Sequence, residues 1–289
     1  MKKFIVILVF AAALALLAGC EEEVFQLNEL QKRDGVYVVP KTQKPYSGKF
    51  VTVYKSNAVK EAGTLKNGKR HGEITIYRED GSINYVQTFA DDVLIFFTDQ
   101  RDSKKYKIIK IGEQVWMAEN LNYDIEGSKC FGEGGEVVTD YDDKGNPIAK
   151  KTLSNKEVLD NCVKYGRLYD WSTAMKACSS GWHLPSDSEW RTLVDFAGGE
   201  EAAGKKLKVK SGWNEDGNGT DEIGFSALPG GFGISDGSFG TVGYRGDWWS
   251  ANEYNSSLAY LEGMYCNYDG TVWGYDYKSA LLSVRCVQD

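Results

Sequence analysis

Polar and apolar residues alternate along much of the first third of the chain, after an apolar run at its start. Between residues 35 and 98 the alternation occurs in two similar units, each with a glycine, an alternating stretch that reaches a tyrosine, and a turn. Asn67-Gly68 and Asp80-Gly81 are residue pairs typical of tight hairpin turns. The pattern predicts a small sheet of β-hairpins over residues 35–98. Two such units bury little apolar surface, so we expect the sheet to pack against a neighbouring element.

The pattern changes after residues 99–105, a polar stretch that we interpret as a linker. All eight tryptophans of the chain follow it, which indicates a second domain over residues 106–289. In this domain, residues 108–111 have the pattern of a strand, and Gly112 is typical of a turn. After residue 205 the pattern predicts turns and short strands.

Two helices are predicted in the second domain. The first lies near residues 170–178, where Asp170 or Ser172 can cap the unpaired amide groups of its first turn. The second begins at Ser186, which together with Glu189 forms the pattern of a capping box, and a glycine pair ends it. Its predicted apolar face consists of Trp190, Leu193, Val194 and either Phe196 or Ala197.

The start of the chain has the features of an export signal. A short cationic segment precedes an apolar run that is too short for an ordinary transmembrane helix, and the sequence Leu-Ala-Gly-Cys ends it. This ending resembles a bacterial lipobox, in which the cysteine is lipidated. We predict a lipoprotein signal peptide over residues 1–19, a membrane anchor at Cys20 and a charged tether over residues 20–34. A plain cleaved signal or an uncleaved anchor is the alternative.

The net charge and the cysteine content limit which partners the protein can bind and in which cellular compartment it is expected. The net charge of −7 argues against nucleic acid, because binding to phosphates requires a basic face. Acidic residues directly after Cys20 favour the outer membrane or the cell surface of a bacterial envelope, where disulfides are permitted. Five further cysteines follow, without a CxxC pair and without zinc-ligand spacing to a histidine. We therefore expect disulfides, with one thiol left over.

Six motifs of the second domain occur in series: IGEQVWMAENLNY, CVKYGRLYDWSTAMKAC, GWHLPSDSEW, GTDEIGFSALPGG, WWSANEY and the terminal SVRCV. Together they resemble the FISUMP family, the Fibrobacter succinogenes major paralogous domain, over about residues 106–289. Such domains are similar to the C-type-lectin-like fold in its formylglycine-generating-enzyme branch. The resemblance implies an α+β fold in which two helices flank a twisted, loop-rich β core. The hairpin region resembles repeats of the MORN and YwqK-antitoxin type.

The resemblance also implies a disulfide pattern. Lectin-like domains pair a cysteine of the first helix with one of the last strand, and Cys178 and Cys286 occupy these positions. Cys130 and Cys162 would then staple the insertion that lies between them, and Cys266 is left over. A pair of Cys266 with Cys286 remains open as an alternative.

The resemblance gives His183 a role in the scaffold, as a buried or half-buried residue whose ring bonds the backbone. Formylglycine-generating enzymes use two neighbouring cysteines for copper and oxygen chemistry. In this chain Cys266 and Cys286 are twenty residues apart, and this departure removes the chemistry that the resemblance would supply. We therefore predict no catalytic residues.

The candidate cofactor is a calcium ion, bound by the acidic, glycine-rich segment over residues 214–222. Asp216, Asn218, Thr220 and Asp221 carry oxygen ligands of the kind that Ca²⁺ prefers. The alternative is a turn in which these side chains bond their own backbone.

The adjacent pair Trp248 and Trp249 is the centre of the predicted ligand site. In a strand the two side chains face opposite sides, so we expect one in the core and the other exposed. An exposed aromatic plane can stack on a sugar ring or contact a protein partner. The full predicted site is Tyr244, Trp248, Trp249, Glu253 and Trp273, and packing beneath a long loop is the alternative.

The leading hypothesis for function is a non-enzymatic, lipid-anchored protein of the cell envelope that binds a polysaccharide or an envelope protein. The second hypothesis is an enzyme with an unrecognised site around His183, Glu189 or Cys266. A third is a purely structural envelope protein, which full burial of the aromatic residues would favour.

Overall fold

The computed structural model describes residues 24–141 and 147–289. The predicted signal peptide and Cys20 lie outside the described residues, as does the first part of the predicted tether. Within the described residues, strand makes up 42% and helix 14%. The protein is therefore predominantly β, and the predicted α+β class is wrong. The reason is that the helices have at most 11 residues, whereas strands form several sheets.

The N-terminal region consists of short strands and hairpins. A single 3-10 turn, Leu27–Glu29, follows the first strand. The strands are β1 (Val24–Gln26), β2 (Gln31–Arg33), β3 (Val36–Val38), β4 (Gly48–Val53), β5 (Val59–Lys66), β6 (Lys69–Arg70), β7 (Gly72–Tyr77), β8 (Ile83–Ala90) and β9 (Val93–Thr98).

The two predicted units form the hairpins β4–β5 and β7–β8. Both hairpins are antiparallel, and each has a register irregularity near the end of its first strand. At the turn between β5 and β6, Asn67 and Gly68 have positive φ angles of 52° and 77°, the left-handed conformation that tight turns require. Inside the sheet, a small core includes Phe50, Leu65 and Ile74. The prediction of hairpins is therefore confirmed, whereas the likeness to named repeat families stays a prediction.

The C-terminal region contains the remaining strands. They are β10 (Lys105–Ile111), β11 (Gln114–Met117), β12 (Ser128–Lys129), β13 (Glu136–Tyr141), β14 (Pro147–Thr152), β15 (Leu168–Tyr169), β16 (Trp182–His183), β17 (Phe232–Gly233), β18 (Ser238–Gly240), β19 (Arg245–Glu253), β20 (Leu258–Tyr265), β21 (Val272–Tyr277), β22 (Leu282–Ser283) and β23 (Val287–Gln288).

The C-terminal region also contains the α-helices of the described residues. They are α1 (Asn155–Tyr165), α2 (Trp171–Ala177), α3 (Asp187–Phe196) and α4 (Ala203–Leu207). Both predicted helices are present. Asp170 caps α2, and the capping box of Ser186 and Glu189 begins α3. Trp190, Leu193 and Val194 of α3 are buried as predicted. Of the two alternatives for the last apolar position, Ala197, which follows the helix, is buried and Phe196 is exposed.

The strands are arranged in sheets that connect the two regions. The largest has eleven strands in the order β1-β4-β5-β7-β8-β9-β10-β11-β23-β16, with β6 paired to β5. A six-stranded sheet has the order β12-β15-β22-β19-β20-β21, so β19 is internal and β21 is an edge. A four-stranded sheet, β14-β13-β18-β17, and the pair β2-β3 complete the architecture.

The hairpin sheet packs against the C-terminal region at the predicted linker, where β9 pairs directly with β10. The fully buried Asp99 forms an ion pair with Arg101, whose guanidinium also donates to the Ala177 carbonyl at 2.7 Å. The rings of Phe97 and Trp182 lie 5.0 Å apart. The expectation that the hairpin sheet packs against a neighbouring element is confirmed, and this element is β10.

Several of the sequence motifs converge on one buried amide, that of Asn120. Its Oδ1 accepts hydrogen bonds from Trp248 Nε1 and from Arg285 Nε, both at 2.9 Å. Its Nδ2 donates to the Tyr165 carbonyl at 2.8 Å. The fully buried Arg285 guanidinium also donates to the carbonyls of Phe225 and Ser226 and lies over the Phe225 ring. Burial lowers the pKa of Arg285 to about 9. These motifs therefore build the scaffold.

Candidate functional site

The predicted exposure of one tryptophan in the adjacent pair is wrong, because Trp248 and Trp249 are both 0% exposed. They face opposite sides of β19 as expected, but both sides are covered. Trp248 packs against Trp190 of α3, with ring centroids 6.5 Å apart. Trp249 donates from Nε1 to the Tyr169 carbonyl at 2.8 Å. Neither ring is available to a ligand from outside.

The other predicted ligand residues do not form one site. Tyr244 is exposed and directly precedes β19, whereas Glu253 is the last residue of that strand. The two residues therefore lie at opposite ends of β19. The Glu253 carboxylate forms an ion pair with Lys278 at 3.0 Å. Trp273 belongs to the edge strand β21, where it pairs in register with Glu262 of β20.

Trp273 is part of a continuous aromatic surface on β20, β21 and the end of β19. Its ring stacks on Tyr260 at 5.2 Å, Tyr260 meets Tyr254 edge to face at 5.5 Å, and Tyr254 stacks on Tyr275 at 4.3 Å. Tyr254 is 47% and Tyr275 is 53% exposed. We call Tyr254, Tyr260, Trp273 and Tyr275 the aromatic strip.

Charged and polar groups border the aromatic strip. The Arg191 guanidinium, from α3, lies 5.9 Å from the centroid of the Trp273 ring. Glu262, also next to Trp273, is nearly buried, and this burial raises the pKa of its carboxyl to about 7. Tyr277, two residues beyond Tyr275, extends the same face of β21 and is 65% exposed. The arrangement offers flat apolar rings with polar edges, which suits a sugar or a protein surface.

Tyr254, Tyr260 and Tyr275 were not predicted as ligand residues, although the sequence of β21 places Tyr275 with Trp273. The segment VWGYDY places aromatic residues at every second position, so in a strand they share one face. The intervening Gly274 and Asp276 lie on the opposite face, so the alternation places the aromatic residues together without showing whether their face is exposed.

His183 lies between two carboxylates rather than against backbone, which corrects the expected bonding of its ring. Its Nε2 is 2.8 Å from Glu189 Oε1, and its Nδ1 is 2.7 Å from Asp289 Oδ1. Burial alone would lower the pKa of His183, but the hydrogen bonds and charges of Asp289 and Glu189 outweigh it and raise the pKa. The ring thus links Glu189 of α3 to Asp289, the residue that follows β23.

The same histidine borders an open cleft of about 560 Å³, lined among others by Met175, Trp182 and Ser186. The Ser186 hydroxyl donates to Glu189 Oε2 at 2.7 Å. Both ring nitrogens of His183 are already engaged by carboxylates, so the ring does not activate this serine. The Glu189 carboxylate therefore lies between the serine hydroxyl and the imidazole and bonds both of them.

Cys266 is the free cysteine among the described residues, and it is buried. Its Sγ lies 3.5 Å from the Glu215 carboxylate. Burial, together with the neighbouring negative charge, raises the pKa of this thiol. A reactive cysteine has the opposite properties, namely exposure and a lowered pKa.

The predicted calcium segment uses most of its side-chain oxygens in local hydrogen bonds. Asn218 Oδ1 accepts from the Trp213 amide at 3.0 Å. The Asp221 carboxylate accepts from the amide and the hydroxyl of Ser226, both at 2.8 Å. Thr220 donates its hydroxyl to the Lys205 carbonyl at 3.3 Å. No group of three or more His, Cys, Asp or Glu residues in the described part of the chain is placed to hold a metal. Calcium binding by Asp216 and these neighbours stays a prediction.

The predicted disulfide pairing is confirmed. Cys130 bonds Cys162, and Cys178 bonds Cys286, so the alternative pair of Cys266 with Cys286 is excluded. The second bridge joins the end of α2 to the segment before β23. No helix among the described residues has the length and hydropathy needed to cross a membrane.

The fold and site together define a disulfide-linked, predominantly β protein with an exposed aromatic surface. Comparison with known proteins identifies its family. The chain matches the Fibrobacter succinogenes major domain over residues 109–288 and belongs to that family. No curated protein and no solved structure matches the chain.

Proposed function

We propose that this protein is a non-enzymatic binding protein of the bacterial envelope, and that the aromatic strip binds polysaccharide. The observation that carries the proposal is the exposed, stacked pair of Tyr254, directly after β19, and Tyr275, on the edge strand β21 of the six-stranded sheet. Large aromatic rings that are exposed together on a protein surface often mark an interaction site. Rings with polar edges suit the alternating apolar and hydroxyl faces of a sugar.

The proposed location is the cell surface or the outer membrane, through lipidation of Cys20. The Leu-Ala-Gly-Cys sequence supports the anchor, and the two disulfides fit a compartment outside the cytoplasm. Membership of the family is consistent with an envelope protein. An envelope protein as the partner is the alternative ligand.

The rival enzyme hypothesis has less support at each of its residues. His183 is held between two carboxylates, Glu189 is bonded by the cap of α3, and Cys266 is buried with a raised pKa. An active site needs a nucleophile, a base and space for the substrate next to both. We therefore favour binding over catalysis.

The test measures binding of the purified protein, without its signal peptide, to insoluble and soluble neutral polysaccharides. A double variant, Tyr254→Ala with Tyr275→Ala, removes the exposed half of the aromatic strip. Because stacking of an aromatic ring contributes about 1 kcal/mol, we expect at least a tenfold loss of affinity for two rings. Tyr244→Ala is the matched control, since Tyr244 is similarly exposed at 45% but lies at the other end of β19.

Each outcome decides between hypotheses. Loss of binding in the double variant with retention in Tyr244→Ala supports the aromatic strip. Equal binding by the double variant and the unmodified protein refutes it. Running each assay with and without Ca²⁺ tests the predicted calcium segment, and dependence that Asp216→Asn removes would support it. If no neutral polysaccharide binds, the proposed ligand is wrong and cross-linking to envelope proteins is the next experiment.

A further inference from the structure

The carboxyl group of Glu262 lies beside the aromatic strip and has no close partner. Glu262 is 3% exposed and stands in register between Trp248 of β19 and Trp273 of β21. Within the described residues, the Thr271 hydroxyl favours the ionised form of this carboxyl but makes no hydrogen bond of normal geometry. Arg191 acts on the carboxyl through its charge, without an ion pair among the described residues. A buried carboxyl in this state is costly unless a polar group reaches it from outside.

A small pocket connects this carboxyl with the protein surface, and we call it the Glu262 pocket. It is lined by the buried residues Glu262 and Val194, by the half-buried Trp273 and by the exposed residues Arg191 and Glu200. The pocket encloses about 10 Å³, close to the smallest space that holds one water molecule. It therefore has room for one hydroxyl group and not for a sugar ring.

The Glu262 pocket lies at one end of the aromatic strip. Trp273 belongs to both, and its ring stacks on Tyr260 at 5.2 Å. A sugar that lies against the strip at this end therefore has its edge next to the pocket. The secondary hydroxyls of a sugar are attached directly to its ring, whereas the hydroxymethyl group of a hexose extends one carbon further. The burial of Glu262 beneath the surface favours the longer group.

We propose that the Glu262 pocket receives the primary hydroxyl of a hexose, so that the aromatic strip selects neutral hexose polysaccharides over pentose and acidic ones. The hydroxyl donates a hydrogen bond to the Glu262 carboxylate in place of a water molecule. Two carboxylates, of Glu262 and Glu200, line this pocket with one guanidinium, of Arg191, and so the carboxylate of a uronic acid would be repelled. This inference rests on the proposed function, because the aromatic strip has to hold the sugar ring.

The surroundings of Glu262 give the interaction a pH dependence. Burial, together with the negative charge of Glu200, raises the pKa of the Glu262 carboxyl to about 7, against the opposing effects of the Thr271 hydroxyl and the Arg191 charge. The carboxyl is thus neutral well below this pH and ionised well above it. A hydrogen bond to an ionised acceptor is stronger than one between neutral groups. The preference for a hexose should therefore be larger at about pH 8.5 than at about pH 5.5.

The experiment compares cellohexaose with xylohexaose, which share linkage and ring hydroxyls and differ in the hydroxymethyl group. Affinity for the purified protein is measured by calorimetry at both pH values. We expect cellohexaose to bind about tenfold more tightly at the higher pH, because xylohexaose lacks the donor of one charge-assisted hydrogen bond. Glu262→Leu removes the acceptor and should bind both oligomers equally. Glu262→Gln keeps an acceptor that cannot ionise, so its preference should be smaller and the same at both pH values. Glu253→Gln, outside the pocket, is the matched control and should keep the full preference.

The result that supports the proposal is a preference for cellohexaose that rises with pH, disappears in Glu262→Leu and stays in Glu253→Gln. Equal binding of the two oligomers by the unmodified protein, or a preference that Glu262→Leu retains, overturns it. If the oligomers bind equally but the double variant of Tyr254 and Tyr275 weakens both, the aromatic strip binds sugar and only the role of the Glu262 pocket is wrong. Binding of neither oligomer also overturns the inference, and the polysaccharides of the first assay then decide whether the strip binds sugar at all.

Discussion

Removal of the Asn120 side chain tests whether the convergence of motifs on this amide stabilises the protein. In Asn120→Ala, Trp248 Nε1 and Arg285 Nε lose a common acceptor, and the Tyr165 carbonyl loses a donor. Asn120 is 5% exposed and Trp248 is fully buried, so the orphaned groups cannot turn to bulk water. The variant should fold with the same disulfides but with a much lower free energy of unfolding.

The expected loss follows from the groups left unpaired. A buried neutral donor without a partner costs about 1–3 kcal/mol, and a buried charged group costs more. Arg285 keeps its bonds to the Phe225 and Ser226 carbonyls, which limits its share. We therefore expect a loss of about 4 kcal/mol for Asn120→Ala. Asn122→Ala removes a single bond, to the Cys162 carbonyl, and should cost only about 1 kcal/mol.

The assay is urea-induced unfolding with intact disulfides, followed by tryptophan fluorescence and by circular dichroism. A double-mutant cycle with Trp248→Phe isolates the bond between the amide and the indole. Replacing the indole should cost less in the Asn120→Ala background, where its N–H is already unpaired, by about 1 kcal/mol. A loss for Asn120→Ala no larger than that for Asn122→Ala would refute the assignment of Asn120 as the centre of the scaffold.

Two further predictions concern stability. The raised pKa of His183 means that its bonds to Glu189 and Asp289 contribute stability that is fully present below the unfolded pKa of 6.5 and is lost as pH rises through the folded pKa. The stability difference between the unmodified protein and His183→Gln should therefore be larger at about pH 5.5 than at about pH 8.5; an equal difference in thermal unfolding at both would contradict it. Replacing the cysteines of each disulfide by serine tests how much closure of its loop stabilises the protein. The Cys178–Cys286 bridge spans 108 residues and the Cys130–Cys162 bridge spans 32. The free energy of unfolding should therefore fall by about 5 kcal/mol without the first bridge and by about 4 kcal/mol without the second. A larger loss of unfolding free energy for the shorter loop would argue against this ranking.

The sequence predicted those elements that local signals specify. The capping box of Ser186 and Glu189 and the apolar period after it were sufficient for α3. The helix α1 also begins with a capping box, formed by Ser154 and Glu157, but it was missed. Cys162 and Tyr165 of this helix are buried, but its apolar residues Leu159 and Val163 are 62% and 84% exposed, so the apolar positions do not form one clear stripe.

The candidate site could be predicted only in part, because exposure depends on the order of strands in a sheet. Trp248 and Trp249 alternate in sequence in the same way as residues on an edge strand. The strand β19 is nevertheless internal, with β22 on one side and β20 on the other, and elements from elsewhere in the chain cover both of its faces. Trp273 and Tyr275 lie on β21, the edge of this sheet, which explains why Tyr275 remains in solvent. Strand order is set by long-range pairing, which short-range patterns do not report.

The residues that identify the family differ from the residues of the proposed binding site. Asn120 and Arg285 belong to motifs that gave the resemblance, and both are buried in the scaffold. Tyr260 and Tyr275 lie outside those motifs and are half-buried and exposed respectively. A fold can carry many functions, and a function has to be argued from its site. The motif residues within the matched range 109–288 therefore build the scaffold, whereas the proposed ligand site, the aromatic strip, is formed mostly by residues outside those motifs.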